Sequence, residues 1–263
     1  MPTIMTNTLT CLWIQSDLDD ISKDCIKSWI ALGYHVNLYT YSKLFTNNIS
    51  TNIHIKNAND IIPFQEHSES AKEHIADKFR FELFRQNQES LDPERIIWLD
   101  TDTILLRKIP THFNYVSSQL TPQSGIYCCK KKKIANIGVM CFDGFEKVNW
   151  VKITKSRSSK MTAFQSKYLK NYEKEIERFP EYILPAKAFC PVHWSYTKEL
   201  FTEKDFLIPF KYSIAQRKIE DILEDQEVYG IHLWRQIYKK KLLSVDTDSM
   251  YQIIKNYSKK NNK

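Results

Sequence analysis

The tightest constraint on this chain is a short apolar run, Ile96-Ile97-Trp98-Leu99, that ends abruptly on Asp100-Thr101-Asp102. Preceded by Asp92-Pro93, the run reads as a strand buried on both faces, and such strands occur in sheets that helices cover on both sides. Carboxylates cannot follow the strand into that interior without a large desolvation cost, so they must stand where the strand meets solvent. Open α/β sheets bind their ligands at that rim. On an extended backbone, positions i and i+2 project to one side, so Asp100 and Asp102 are expected to form a small oxygen-rich claw.

The rest of the chain agrees with an α/β plan. Leu9 to Ile14 is a second apolar run, after which Leu18, Ile21, Cys25, Ile26, Trp29 and Ile30 recur at helical spacing, and Gly33 closes that helix. His35 to Tyr41 and Ile53 to Ile55 read as strands, the first of them completing a parallel βαβ unit. A further helix carries Ile75, Ala76, Phe79, Leu83 and Phe84 on one face. Thr103 to Leu106, Gly125 to Cys129, Ile137 to Phe142 and Tyr229 to Leu233 complete the expected strands, and Met161 to Phe179 reads as a polar, charge-rich helix. Pro180, Pro185, Pro191 and Pro209 break the stretch from Phe179 to Phe210 into loops, which suits the walls of a binding site. At 263 residues, 42% of them hydrophobic, the chain can bury a sizeable core, and no repeat or low-complexity linker divides it. The expectation is one domain, 1–263.

Several classes of protein are disfavoured. No apolar run reaches the roughly 18 residues that a membrane span needs, and Met1 to Thr10 lack the basic and apolar parts of a signal peptide. A cytoplasmic chain is therefore expected. Cys11, Cys25, Cys128, Cys129, Cys141 and Cys190 sit in apolar stretches without a repeating spacing, as reduced, packed thiols do, and no CxxC pair supports a zinc site with His193. The net charge of +7 suits an anionic partner. Its basic runs, Lys130 to Lys133 and the tail from Lys239 to Lys263, read as a solvated loop and a frayed end; peripheral contact with a membrane surface stays open, and no nucleic-acid motif accompanies them.

Oxygen claws of this kind suit Mg²⁺ or Mn²⁺, hard cations that fill their remaining positions with water and substrate phosphate. Around the claw the sequence resembles the GT-A nucleotide-sugar glycosyltransferases with a DXD motif, particularly retaining families with bacterial and viral members. The resemblance rests on Leu12-Trp13-Ile14-Gln15, Ile26-Lys27-Ser28-Trp29, Gly33-Tyr34-His35, Leu38-Tyr39-Thr40-Tyr41, Ala76-Asp77-Lys78-Phe79-Arg80, Asn136-Ile137-Gly138-Val139-Met140 and Tyr229-Gly230-Ile231-His232-Leu233. It implies a Rossmann-like nucleotide-binding sheet, with residues 1–110 as the donor-binding half and 111–263 as the acceptor or closing half. It further implies a UDP- or GDP-sugar donor, a glycan or other hydroxyl acceptor, and Mn²⁺ (or Mg²⁺) held by Asp100, Asp102 and, from far along the chain, His232.

By the same resemblance Trp13, Ile14, Gln15, Tyr39, Asp77, Arg80, Thr101, Asn136 and Gly138 face the donor, while His193, Trp194 and Trp234 lie toward the acceptor. Asp77 and Arg80, three apart, share one helix face in any case. Two features depart from the pattern: no Gly-Gly pair precedes the DXD strand, and Trp234-Arg235 stand where small or amide residues are usual. Two rival readings remain. Asp100 would be the nucleophile of a haloacid-dehalogenase-like phosphatase, although Ile104 stands where that signature has Thr and the chain lacks a suitably placed late acidic pair. Alternatively, the same scaffold would bind a nucleotide sugar without turning it over.

Overall fold

The computed structural model describes residues 7–14, 17–41, 51–64, 72–112, 114–120, 133–144, 147–154, 170–209, 216–240 and 244–260. Gln15, Cys128, Cys129, the expected strand Gly125 to Cys129 and most of the Lys130 to Lys133 run lie outside the described residues, as does 161–169 of the expected polar helix.

Strands β1 (Thr8–Trp13) and β2 (His35–Thr40) are parallel, with Thr8 opposite His35, and the helix α1 (Asp20–Ala31) connects them. Both ends of α1 follow from its residues. The Asp19 carboxylate accepts the Ser22 amide at 2.9 Å as an N-cap, and Gly33, at φ +86°, closes the other end. There the Gly33 amide bonds the Ile30 carbonyl and the Tyr34 amide reaches back to Trp29, the paired bonds of a Schellman motif. Strand β3 (Ile53–Asn57) extends the sheet beside β2, and α2 (Lys72–Gln88) leads to β4 (Ile96–Leu99), which lies parallel to β1.

Beyond β4 the chain turns into β5 (Thr103–Leu105), which leaves the main sheet. Strands β6 (Tyr115–Leu120) and β7 (Lys133–Phe142) return to it as antiparallel neighbours, giving the order β3-β2-β1-β4-β7-β6. Strand β6 was not expected from the sequence, and β7 begins earlier than Ile137. Short helices α3 (Trp150–Thr154) and α4 (170–176) follow, then α5 (Thr197–Thr202), a two-residue ladder of β8 (Ile208–Pro209) and β9 (Gln216–Arg217), and α6 (Ile219–Glu224). Strand β10 (Gly230–His232) then pairs antiparallel with β5, and α7 (Arg235–Lys240) and α8 (Met250–Lys260) complete the chain.

Alternate residues of each central strand feed opposite sides of the sheet. Leu9, Cys11, Ile97, Leu99, Val139 and Cys141 join one core with α1, α5, α6 and α8. Leu12, Trp98, Met140 and Phe142 join the other, beneath α2, α3 and α4, where Phe79, Phe84, Trp150 and Tyr172 make a largely aromatic interior. This double burial makes the β4 run continuously apolar. The fold is thus the α/β architecture expected, a parallel sheet with an antiparallel flank. The thiols of Cys11, Cys25 and Cys141 are buried and free, and Cys190 is free and half-buried. No helix among the described residues is long and apolar enough to cross a membrane.

Candidate active site

The claw forms, by a different backbone route from the one expected. Asp100-Thr101-Asp102 is not extended: the Thr103 amide bonds the Asp100 carbonyl at 3.0 Å, closing a tight turn between β4 and β5. The turn folds the two carboxylates together at the rim. It is anchored from both sides. The Asp100 amide continues the β4–β7 ladder onto the Gly138 carbonyl at 2.8 Å. On the other side α1 grips β5: the Trp29 indole donates to the Thr103 carbonyl at 2.7 Å, and the Ser28 hydroxyl accepts the Leu105 amide at 2.9 Å.

His232 arrives from β10, in register with Thr103, and its Nε2 lies 3.1 Å from Asp102 Oδ1. One ligand atom each from Asp100, Asp102 and His232 lie within 4.8 Å of one another, the arrangement three protein ligands of one cation need. It is the one such group among the described residues; no cysteine cluster accompanies it. Two anionic oxygen donors and an imidazole are a donor set that Mn²⁺ accepts readily.

Neighbouring residues fix the claw's shape and charge. Arg80 of α2, buried to 5% exposure, points its guanidinium at Asp100 (3.2 Å) and Asp77 (3.4 Å), donates to the Ile137 carbonyl at 2.6 Å, and lies over the Trp98 ring. The Trp98 indole donates to Asp100 Oδ1 at 2.8 Å. Burial pushes the Asp100 carboxyl above its ordinary range, against the opposing pull of Arg80. Burial would raise Asp102 too, but the charge and hydrogen bond of His232, with the Arg235 amide, outweigh it and hold Asp102 at about 2. Burial disfavours the charged form of His232, yet Asp102 and the Cys190 thiol beside it carry its pKa well above the usual imidazole range. A Cβ on Gly138 would stand 2.8 Å from Asn136 Oδ1 and 3.2 Å from Asp100 Oδ2, so the site needs glycine there. Asn136 holds that approach in place by accepting the Gly138 amide at 2.7 Å.

A cleft of about 210 Å³ opens onto the claw, lined by Trp13 and Ile14 at the end of β1, Asp77 and Arg80 of α2, Asp100, Thr101, Asp102, Arg235 and Gln236. Trp13, Ile14, Asp77, Arg80 and Thr101 thus line one cleft, and Asn136 and Gly138 lie directly behind Asp100. Tyr39 is placed instead against Phe79, with ring centroids 5.2 Å apart, and is not part of this lining. On the far side of His232, the Trp234 ring lies 4.1 Å from the imidazole and its indole donates to the Val192 carbonyl. That bond brings the neighbouring His193 and the exposed Trp194 alongside. Arg235, Trp98 and Gln236 were not anticipated. Trp98 was hidden inside its own apolar run, and nothing in local sequence announces that Arg235 meets the N-terminal strand.

Residues 161–258, less than half of the chain, match the model of the alpha 1,4-glycosyltransferase conserved region. His232, Trp194 and Trp234 lie inside the matched span, and the Asp100–Asp102 claw outside it. Among solved structures, the galactosyltransferase LgtC in complex with donor and acceptor sugar analogues is similar at 11% identity and a TM-score of 0.41, over 96% of this chain and 95% of that one. An active-site mutant of LgtC gives 13% identity over 86% of each chain, TM-score 0.38. The bifunctional glycosyltransferase WbbM gives 10% identity and a TM-score of 0.45, over 98% of this chain and 52% of that one. The chain thus spans about half the length of WbbM. No curated protein matches in sequence. The C-terminal part of the chain is thus similar to the alpha 1,4-glycosyltransferase conserved region, and the Asp-x-Asp rim lies N-terminal to it, just after β4 of the main sheet.

Proposed function

We propose that the protein transfers a sugar from a UDP- or GDP-sugar to a hydroxyl of a glycan acceptor, with retention of anomeric configuration, using Mn²⁺ or Mg²⁺ held by Asp100, Asp102 and His232. The observation that carries this reading is the convergence of those three side chains, from the β4–β5 turn and from β10, at the mouth of the cleft. Bound there, the cation would offset the charge that grows on the diphosphate as the sugar–phosphate bond breaks.

The protein's own residues do the rest. Trp13 and Ile14 at the end of β1 offer an apolar wall for the nucleoside, while Asp77 and Arg80, on one face of α2, orient sugar hydroxyls from the other side. Asn136 and Gly138, packed directly against Asp100, hold that carboxylate toward the donor. His193, Trp194 and Trp234 form the acceptor side, beyond His232. In this reading the chain is a single domain whose donor half, 1–110, and acceptor half, 111–263, meet at the claw, and it works in the cytoplasm.

The phosphatase reading is disfavoured by specific residues. No lysine lines the cleft among the described residues, and the late acidic residue Asp225 is tied to Arg217 and Lys187 instead. Incubation with UDP- and GDP-sugars and Mn²⁺ tests the proposal. Transfer or donor hydrolysis should require the cation and fall more than about 100-fold in Asp102→Asn, beyond what losing an outer-sphere partner costs. Full activity in that variant, or turnover of simple phosphoesters without a sugar donor, would refute it.

A further inference from the structure

Asp102 is held at both oxygens: Oδ1 faces His232, and Oδ2 accepts the Arg235 backbone amide at 2.9 Å. The second contact exists because the chain makes a sharp reversal after β10. The Leu233 amide bonds the Asp102 carbonyl at 2.8 Å, and Trp234 then adopts φ +54°, the sole non-glycine residue with positive φ among those described. A large aromatic residue is disfavoured in that region and persists there only when its surroundings fix it.

Contacts from the other end of the chain supply that restraint. Immediately after Trp234, the Arg235 side chain, 6% exposed, crosses to the N-terminal strand. Its guanidinium lies 4.5 Å over the Trp13 ring and its Nε bonds the Asp19 carboxylate, which Lys239 also approaches at 3.0 Å. Asp19 cannot drift, because it is the N-cap of α1. Arginine suits this place: it stacks on an indole face and bonds a carboxylate at once, which lysine does not do.

We propose that Arg235 is a positioning residue for the metal claw, a clasp that pins the 233–236 turn to Trp13 and Asp19 so that its amide keeps Asp102 Oδ2 occupied and Oδ1 turned toward His232. The proposal rests on the reading of Asp100, Asp102 and His232 as cation ligands, and extends it to an outer sphere that no motif in the sequence marks. Through the clasp, the cleft wall at β1 and the cation site at β5 become one mechanical unit. Loss of an outer-sphere partner commonly weakens metal binding by about 10- to 100-fold.

Two measurements on the full chain test it together. Mn²⁺ titration by calorimetry should show binding weakened by about 10- to 100-fold in Arg235→Ala, a smaller loss in Asp19→Asn, and partial recovery in Arg235→Lys. Asparagine is as good an N-cap as aspartate, so Asp19→Asn removes the charge while keeping α1 capped. Amide hydrogen exchange of the 229–240 segment, followed without metal, should speed up in Arg235→Ala and Asp19→Asn while α2 and β1 are unchanged. Wild-type Mn²⁺ affinity with wild-type exchange in both variants would overturn the clasp. If the wild-type chain binds no Mn²⁺, the ligand reading fails by itself, and the exchange rates alone decide whether Arg235 holds the turn.

Discussion

Two acidic places in this molecule differ in what surrounds them. Glu175, in α4, is fully buried, yet its carboxylate receives Arg178 at 2.5 Å, Lys152 at 3.3 Å and the Asn149 amide at 3.2 Å. At the sheet rim, Asp77, Asp100 and Asp102 instead crowd around Arg80 and His232, with an open cleft on one side. In the first place an excess of cations surrounds one carboxylate, and the group ties α3 to α4. In the second the carboxylates are in excess and converge on a common point. A matched carboxylate holds a fold together, whereas carboxylates left in excess beside a cleft make a place for an added cation.

The contrast can be broken most sharply at the rim. In Gly138→Ala the new Cβ would press on Asn136 Oδ1 and Asp100 Oδ2, and transfer should fall by about 10- to 100-fold, as small misplacements of reacting groups do, with little change in the melting temperature. Unchanged activity would mean that the position of Asp100 does not matter to turnover. Glu175→Gln should do the reverse. It removes charge-assisted bonds from a buried group whose two cations are themselves largely exposed and can return to water, so urea denaturation should show a loss of about 2 kcal/mol, with activity per folded molecule intact.

The smallest effect is a matter of pH. Burial pushes Asp19 up, but the Ser22 amide and the Arg235 guanidinium outweigh it and hold the carboxyl below its ordinary range; Asp225 is lowered likewise, by the Glu227 amide, Arg217 and Lys187 against its burial. A carboxyl whose folded pKa lies below its unfolded value stabilises the fold fully above the unfolded value, about 3.9, and that contribution disappears as pH falls through the folded one. Urea midpoints should therefore drop as pH is lowered below about 4, and drop less in Asp19→Asn. An equal drop in both would show that the Asp19 pair contributes nothing to acid sensitivity.

Much of this was legible from residue pattern. The apolar run before Asp100, the helical spacing of α1 and the closing Gly33 are local signals, and each lies where the sequence indicated. Strand β6 escaped because Ser117, Ser118 and Gln119 interrupt its apolar character, and only its pairing with β7 makes it a strand. The burial of Glu175, inside a stretch whose sequence indicates a polar helix, carries no local signal, since its partners Asn149 and Lys152 come from a different segment. The bent backbone at Asp100-Thr101-Asp102 was likewise invisible: the turn depends on β5 leaving the sheet to meet β10, a pairing between residues far apart in the chain. Arg235 belongs with these, because what it touches is decided by how the two ends of the chain meet.

Whether the rim holds a divalent cation is the central question, and calorimetric titration of Mn²⁺ in the presence of UDP or GDP asks it directly. The chain should take up one Mn²⁺ per molecule, and Asp100→Asn and Asp102→Asn should each abolish that uptake while remaining folded by circular dichroism. Undiminished binding in both variants, or no binding by the folded wild-type chain, would contradict it.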